Sequence, residues 1–195
     1  MPLRRSRARA ARRNLLLATG AGCGLGGVGA VVPLLGSMAP GALARLQGGA
    51  RRVELGQLAP GEHRVLRWRG MPVWVLRRTP AMLDALARGE QHLADPMSLR
   101  DTTPPWARNR WRSLRPEFLV FSNVCTHLGC VPELRLNGGG DLPQHWPGGF
   151  ACPCHGSLYD LAARVWRDMP APDNMPVPDY EFIADTTIVL GVHRD

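Results

Sequence analysis

The sequence lacks charge over one long stretch and lacks one basic residue type altogether. No charged residue occurs between Asn14 and Ala44, no acidic residue occurs in positions 1–13, and lysine is absent from the chain. No internal repeat is evident either, which argues against solenoid and propeller architectures. The 195 residues leave room for one well-packed domain with an appendage, and not for two full domains.

Most of the net charge of +8 comes from one end of the chain. Residues 1–13 contain six arginines, whereas the rest of the chain has 18 arginines against 16 acidic residues. A basic tail can bind nucleic acid, but a basic tail directly before an apolar run is more simply a signal of membrane topology. We therefore expect no nucleic-acid partner.

The uncharged stretch predicts a membrane anchor. As a helix, the 24 residues of Leu15–Met38 span roughly 36 Å, enough to cross a hydrocarbon core of about 30 Å. The arginines predict a cytoplasmic tail at residues 1–13, a single-pass anchor at residues 14–38 in a bacterial inner membrane, and a head on the periplasmic side. The alternative is a removable signal peptide that ends at Ala42-Leu43-Ala44, which the length of the apolar run disfavours.

Two motifs overlap this anchor. Arg12-Arg13-Asn14-Leu15-Leu16 resembles a twin-arginine export signal, a route that carries proteins already folded around a cofactor. The glycines of Gly24–Gly29 fit the dinucleotide fingerprint, but no strand pattern precedes them and the next acidic residue, Glu54, is too far along the chain. We therefore interpret these glycines as sites of close helix contact in lipid.

Beyond a Gly-containing hinge linker at residues 39–49, residues 50–195 predict an all-β head of antiparallel sheets with one short helix. Thr79-Pro80 supplies an N-cap and a first-turn proline for that helix, at Ala81–Arg88. Residues 94–117 carry several prolines and are expected to form a loop, in which the arginines of residues 108–115 are solvated. The predicted strands are His63–Arg69, Val73–Arg77, Phe118–Ser122, Tyr180–Ile183 and Thr187–Val192.

Four of the five cysteines fall in two compact clusters, each with one histidine. The clusters are Cys125-Thr126-His127-Leu128-Gly129-Cys130 and Cys152-Pro153-Cys154-His155-Gly156-Ser157. Zinc sites usually pair like ligands at short spacing, and two disulfides would leave both histidines without a role. One thiolate and one imidazole from each loop suit a two-iron cluster, so the spacing favours an iron–sulfur centre and leaves zinc and disulfides open.

These two motifs resemble those of the Rieske subunits of the quinol–cytochrome c reductase (respiratory cytochrome bc) family. The resemblance extends to the Trp-Arg-Gly-x-Pro-Val hairpin, to Trp146–Phe150 and to the loop Pro170-Ala171-Pro172. It implies a [2Fe–2S] cluster in a cluster-binding part at about residues 122–172, with electrons passed from quinol to a c-type cytochrome. The implied partners are cytochrome b, a c-type cytochrome, quinol and the membrane.

The resemblance also assigns roles to the residues. Cys125 and Cys152 would bind one iron, and His127 and His155 the other. Cys130 and Cys154 would form a disulfide that clamps the two loops. Ser157 and Tyr159 stand where the family places hydroxyls that donate hydrogen bonds to sulfur, which favours a high-potential quinone such as ubiquinone. His155 would accept the hydrogen bond and the proton of quinol.

The sequence departs from the family at Met169, where a glycine usually precedes the proline loop. Two alternatives remain within the same chemistry. A Rieske electron carrier outside the complex usually lacks the extra loop cysteines and the anchor, both of which this sequence has. The photosynthetic quinol–plastocyanin reductase is a closer alternative, but the twin-arginine start and the proline loop favour the respiratory type.

Overall fold

The chain forms two compact units, Met1–Leu46 and Gln47–Asp195. The computed structural model describes residues 2–39, 41, 48–100, 103–136 and 139–192, without the side chains of residues 2–9. Most of the predicted hinge at residues 39–49 lies outside the described residues.

The first unit contains one long helix, α1 (Pro2–Ser37). Its segment Ala10–Ser37 reaches a mean hydropathy of 1.8 and has no buried residue, so its length and composition fit a membrane span. The Thr19 hydroxyl donates to the Leu15 carbonyl at 2.9 Å, which satisfies this polar group within the apolar helix. The predicted apolar helix is confirmed, although α1 begins within the basic tail and not at Asn14.

The second unit has nine strands among its described residues, in three antiparallel sheets. The first sheet has the order β1 (Arg51–Glu54), β9 (Thr187–Leu190) and β8 (Tyr180–Ala184). The second has the order β2 (His63–Trp68), β3 (Met71–Arg77) and β4 (Phe118–Ser122). The third has the order β5 (Glu133–Arg135), β6 (Gly149–Ala151) and β7 (Leu158–Tyr159). The predicted all-β head is confirmed.

The short helix of the head is α2 (Pro80–Gly89), and Thr79 caps it as predicted. The Thr79 hydroxyl oxygen accepts a hydrogen bond from the Met82 amide at 3.2 Å, which satisfies one of the free donors at the start of a helix. Two single 3₁₀ turns, Glu90–His92 and Pro105–Ala107, complete the described helical structure of this unit.

Strand β4 joins the two main parts of the head, because all five of its residues are buried. Successive side chains of a strand point to opposite faces. Phe118 and Val120 therefore pack in the core shared with β1, β8 and β9, whereas Leu119 and Phe121 pack in the core shared with α2 and the third sheet. β4 leads directly into the first cysteine loop, so both cores hold the start of that loop in place.

The β2–β3 hairpin is tighter than predicted. Arg69 and Gly70, with φ values of 50° and 77°, form a two-residue turn, and Met71 and Pro72 belong to β3. Two successive residues with positive φ match the right-handed twist of a hairpin, which explains the short connection. The strands β1, β5, β6 and β7 were not predicted individually, because segments of two to four residues carry too little alternation to be recognised.

The prediction of solvated arginines in residues 108–115, within the segment 94–117, is wrong for Arg112, whose exposed fraction is 0%. Its guanidinium donates to the carbonyls of Ala162 and Ala163 at 3.1 Å and to that of Met175 at 2.8 Å. A buried arginine is tolerated where its donors find acceptors, and backbone carbonyls serve that purpose here. The described remainder of this segment, residues 94–100 and 103–117, is loop as predicted, apart from the turn Pro105–Ala107.

Candidate metal centre

The two cysteine loops share one backbone hydrogen-bond pattern. In each loop the amide of the first cysteine donates to the carbonyl five residues later, Cys125 to Cys130 and Cys152 to Ser157, both at 2.8 Å. The glycine four residues after each cysteine donates back to that cysteine's carbonyl at 3.0 Å. Both glycines have positive φ, 83° at Gly129 and 72° at Gly156, a conformation that costs glycine little. The same turn is thus built twice.

A disulfide joins these turns. Cys130 and Cys154 are bonded, with their Cα atoms 6.6 Å apart and a sequence separation of 24 residues. Cys125 and Cys152 remain free thiols and are both buried. The sulfurs of Cys130, Cys152 and Cys154 lie within 4.8 Å of one another, but the disulfide leaves Cys152 as the only thiol of that group. The clamp implied by the resemblance is therefore present in the structure.

The free thiols differ in their surroundings. Burial raises the pKa of the Cys125 thiol, but hydrogen bonding with the Tyr159 hydroxyl, the His127 backbone and the Cys152 and Ser157 side chains together outweighs burial, and the net pKa is lowered. The Tyr159 hydroxyl donates to Cys125 Sγ at 3.3 Å. Burial and the neighbouring Cys125 raise the pKa of Cys152. Donors aimed at Cys125 thus favour its thiolate, the form that binds metal.

The two motif histidines face each other beside these thiols. The ring centroids of His127 and His155 are 4.7 Å apart, and the ring planes are nearly perpendicular at 84°. His127 Nδ1 is buried and has no hydrogen-bond partner among the described residues, whereas His155 is exposed. A buried ring nitrogen without a partner is costly unless it binds something. Two thiols and two imidazoles, one of each from either loop, fit the ligand set of a Rieske [2Fe–2S] centre.

Ser157 and Tyr159, the two residues predicted to donate from their hydroxyls, lie close to Cys125. Ser157 is fully buried, and its oxygen accepts a hydrogen bond from the Ala171 amide at 3.1 Å. Its hydroxyl is also one of the groups that lower the pKa of the Cys125 thiol. Burial and the interaction with Cys125 raise the pKa of Tyr159, so this hydroxyl stays protonated and remains a donor.

Thr126 is a member of this network that the sequence did not single out. Its amide donates to the Tyr159 hydroxyl oxygen at 3.1 Å, and its hydroxyl donates to the Asp173 carbonyl at 2.7 Å. Thr126 thereby connects the first cysteine loop to the segment after the proline loop. Its position between Cys125 and His127 places Thr126 in the motif. That spacing does not predict its hydrogen bonds to Tyr159 and Asp173.

The departure at Met169 has a structural answer. Met169 is not among the residues with positive φ, and Asp168, directly before it, takes the left-handed conformation at φ 58°. Aspartate tolerates that region better than most residues.

A glycine is required at Gly149 in β6, where an added Cβ would lie 1.9 Å from the Tyr159 carbonyl oxygen. Only glycine allows β6 to approach β7 this closely.

Comparison with known proteins places these features in one family of sequences. Residues 106–181 match the Rieske [2Fe-2S] domain family. The ubiquinol-cytochrome c reductase iron-sulfur subunit of Allochromatium vinosum is 45% identical over 185 residues, which are 94% of this chain and 89% of that protein. The subunit of the same description from Bradyrhizobium diazoefficiens is 38% identical, covering 92% of this chain and 93% of that protein. The mitochondrial Rieske subunit of the cytochrome b-c1 complex from Neurospora crassa is 40% identical over 71% of this chain and 52% of that protein.

Proposed function

We propose which residues bind the cluster and which residue accepts the proton of quinol in this chain. The chain belongs to the family of ubiquinol–cytochrome c reductase iron–sulfur subunits. It is a [2Fe–2S] subunit of that oxidoreductase and passes electrons from quinol to a c-type cytochrome. Cys125 and Cys152 bind one iron, and His127 and His155 bind the other. The observation that carries this assignment is the meeting of two buried thiols and two facing imidazoles on a pair of like turns.

When bound, the cluster supplies one-electron transfer at a potential that neutral imidazole ligands raise. The chain's own groups act in the same direction. The Tyr159 hydroxyl donates to Cys125 Sγ, and both this hydroxyl and that of Ser157 lower the pKa of the thiol, which favours negative charge on that sulfur. The disulfide and the Thr126 hydrogen bonds hold the two loops in register. The site is thereby suited to accept an electron from a high-potential quinol such as ubiquinol.

His155 is the proposed site of contact with quinol. It is exposed at the tip of the second loop, and the adjacent first loop presents Leu128, which is 71% exposed. The imidazole nitrogen that does not bind iron can accept a hydrogen bond from the quinol hydroxyl and then hold its proton. His155 takes up the quinol proton at the exposed end of the head, and the cluster that it helps to bind takes up the electron. The two transfers are coupled because they meet at this residue.

A Tyr159→Phe variant tests the role of the hydroxyl donors. A hydrogen bond to sulfur strengthens when the reduced cluster adds negative charge to it, and loss of a strengthening of roughly 1–2 kcal/mol should lower the midpoint potential by about 40–90 mV in a redox titration. The control is Tyr180→Phe, because the chain has two tyrosines and the Tyr180 hydroxyl contacts the Leu114 amide, away from the cluster loops. An equal potential in wild type and Tyr159→Phe would remove Tyr159 from the cofactor site.

The chain is anchored in a membrane and belongs to a complex with cytochrome subunits, and we propose its topology as well. The tail at residues 1–13 stays in the cytoplasm, residues 14–38 span the inner membrane, and the head at residues 50–195 lies in the periplasm beside cytochrome b and a c-type cytochrome. The hinge at residues 39–49 lets the head alternate between quinol and haem.

The topology predicts protease sensitivity from one side of the membrane. External protease added to intact spheroplasts should digest the head, and protection of the head there would reverse the orientation. Mass spectrometry of the mature chain should find the N-terminal segment retained. An N-terminus near Arg45 would instead show that a signal peptide ending at Ala42-Leu43-Ala44 had been removed.

A further inference from the structure

The segment that follows Tyr159 is held by three buried arginines. Arg164 Nε pairs with the Asp160 carboxylate at 2.8 Å, and Arg78 Nη1 donates to the Leu161 carbonyl at 3.2 Å. Arg112 Nη1 donates to the two carbonyls after that, of Ala162 and Ala163. All three arginines are at most 2% exposed. Each of the four residues after the tyrosine that contacts Cys125 is therefore held by a guanidinium.

Arg112 differs from the other two because it also holds the other side of the site. Its Nη2 donates to the Met175 carbonyl at 2.8 Å, two residues after Asp173, whose carbonyl accepts the Thr126 hydroxyl. The Met175 amide in turn donates to the Ala163 carbonyl at 3.0 Å. One guanidinium thus bridges the segment after Tyr159 and the segment that anchors Thr126. Tyr159 and Thr126 are themselves hydrogen-bonded to each other.

Backbone conformation supports a specific role for this bridge. Arg112 and Ala163 both adopt the left-handed region, with φ values of 50° and 60°. That region is unfavourable for a non-glycine residue, and such conformations persist only where surrounding contacts impose them. Here the two strained residues are hydrogen-bond partners. This strained contact lies four residues after Tyr159, in the segment that follows β7.

We propose that Arg112 is a positioning residue for the Tyr159 hydroxyl. Arg112 holds Ala162, Ala163 and Met175 at a fixed separation, and this separation directs the hydroxyl at Cys125 Sγ. The inference rests on the proposed function, because its consequence is a reduction potential that depends on Arg112 through Tyr159. A planar guanidinium is needed, since its donors reach the Thr103 hydroxyl and three carbonyls at once in a fixed geometry.

The test is a double-mutant cycle on the midpoint potential of the full-length chain. Arg112→Lys retains the positive charge and loses the planar fork, so any shift in potential reports geometry and not charge. The cycle comprises wild type, Arg112→Lys, Tyr159→Phe and the double variant. Arg110→Lys is the matched control, because Arg110 lies two residues away and pairs with Glu90 at the surface.

Arg112→Lys should lower the potential by at least about half of the shift caused by Tyr159→Phe, and it should cause almost no further shift in the Tyr159→Phe background. Arg110→Lys should leave the potential unchanged. Equal shifts in both backgrounds, or no shift in either, would overturn the proposal. If Arg112→Lys does not fold, Thr103→Val removes a single acceptor of the same guanidinium and should give a smaller shift with the same dependence on Tyr159. A wild-type chain without a cluster would instead refute the proposed function.

Discussion

A chain with His155 replaced by aspartate is expected to purify without the visible absorption and the electron paramagnetic resonance signal of a [2Fe–2S] cluster. The physical reason is the ligand set. A carboxylate in place of a neutral imidazole adds negative charge to the site and presents its donor atom at a different reach from the backbone. Quinol–cytochrome c reductase activity of the assembled complex should be lost together with the cluster.

The control for this variant is His145→Asp. His145 is also exposed, but it lies outside the two cysteine loops and contacts His92 and Trp166. The His145→Asp chain should retain the cluster and its spectrum. A His155→Asp chain with a normal spectrum and full turnover would show that His155 neither binds iron nor accepts the proton, and both parts of its assignment would be withdrawn.

Removal of the disulfide is the second change with a large expected effect. The paired variant Cys130→Ser with Cys154→Ser should lower the free energy of unfolding by about 3.5 kcal/mol, since the bond closes a loop of 24 residues. The cluster should be lost more readily, because the loops that carry the two free thiols would no longer be joined. Thermal unfolding and the loss of visible absorption on heating measure both effects.

A matched variant distinguishes the effect of losing the disulfide bond from the effect of replacing a cysteine by serine. Cys23→Ser changes the remaining cysteine outside the cluster loops, which lies in α1, and it should leave the spectrum of the head unchanged. Treatment of the wild type with a reductant should reproduce the effect of the paired serine variant. If the paired variant kept its cluster and unfolded at the wild-type temperature, the disulfide would have no part in holding the site.

Several features of the site could be read from the sequence because their signals are local. Each cysteine loop spans six residues, so the spacing of Cys125, His127, Cys152 and His155 contains most of the information about the ligand set. The helix α1 is also a local feature, since a run of uncharged residues needs no partner in sequence to be recognised. The cap at Thr79 and the strand β4 were predictable for the same reason.

The position of Thr126 could not be predicted, because its partners are distant in sequence. Its hydroxyl meets the carbonyl of Asp173, 47 residues away, and its amide meets the Tyr159 hydroxyl, 33 residues away. No periodicity or spacing links these residues. Only the packing of the proline-loop segment against the first cysteine loop brings them together.

By itself, the sequence determined the chemistry of this protein: an apolar anchor, two like motifs and the donors suited to two irons. The tertiary structure alone decided which charged groups are buried and what they hold. Arg78 meets Leu161 across 83 positions, and Arg112 meets Met175 across 63. An arginine in a sequence is ordinarily read as solvated, since burial of its charge is favourable only where the fold supplies acceptors from distant segments.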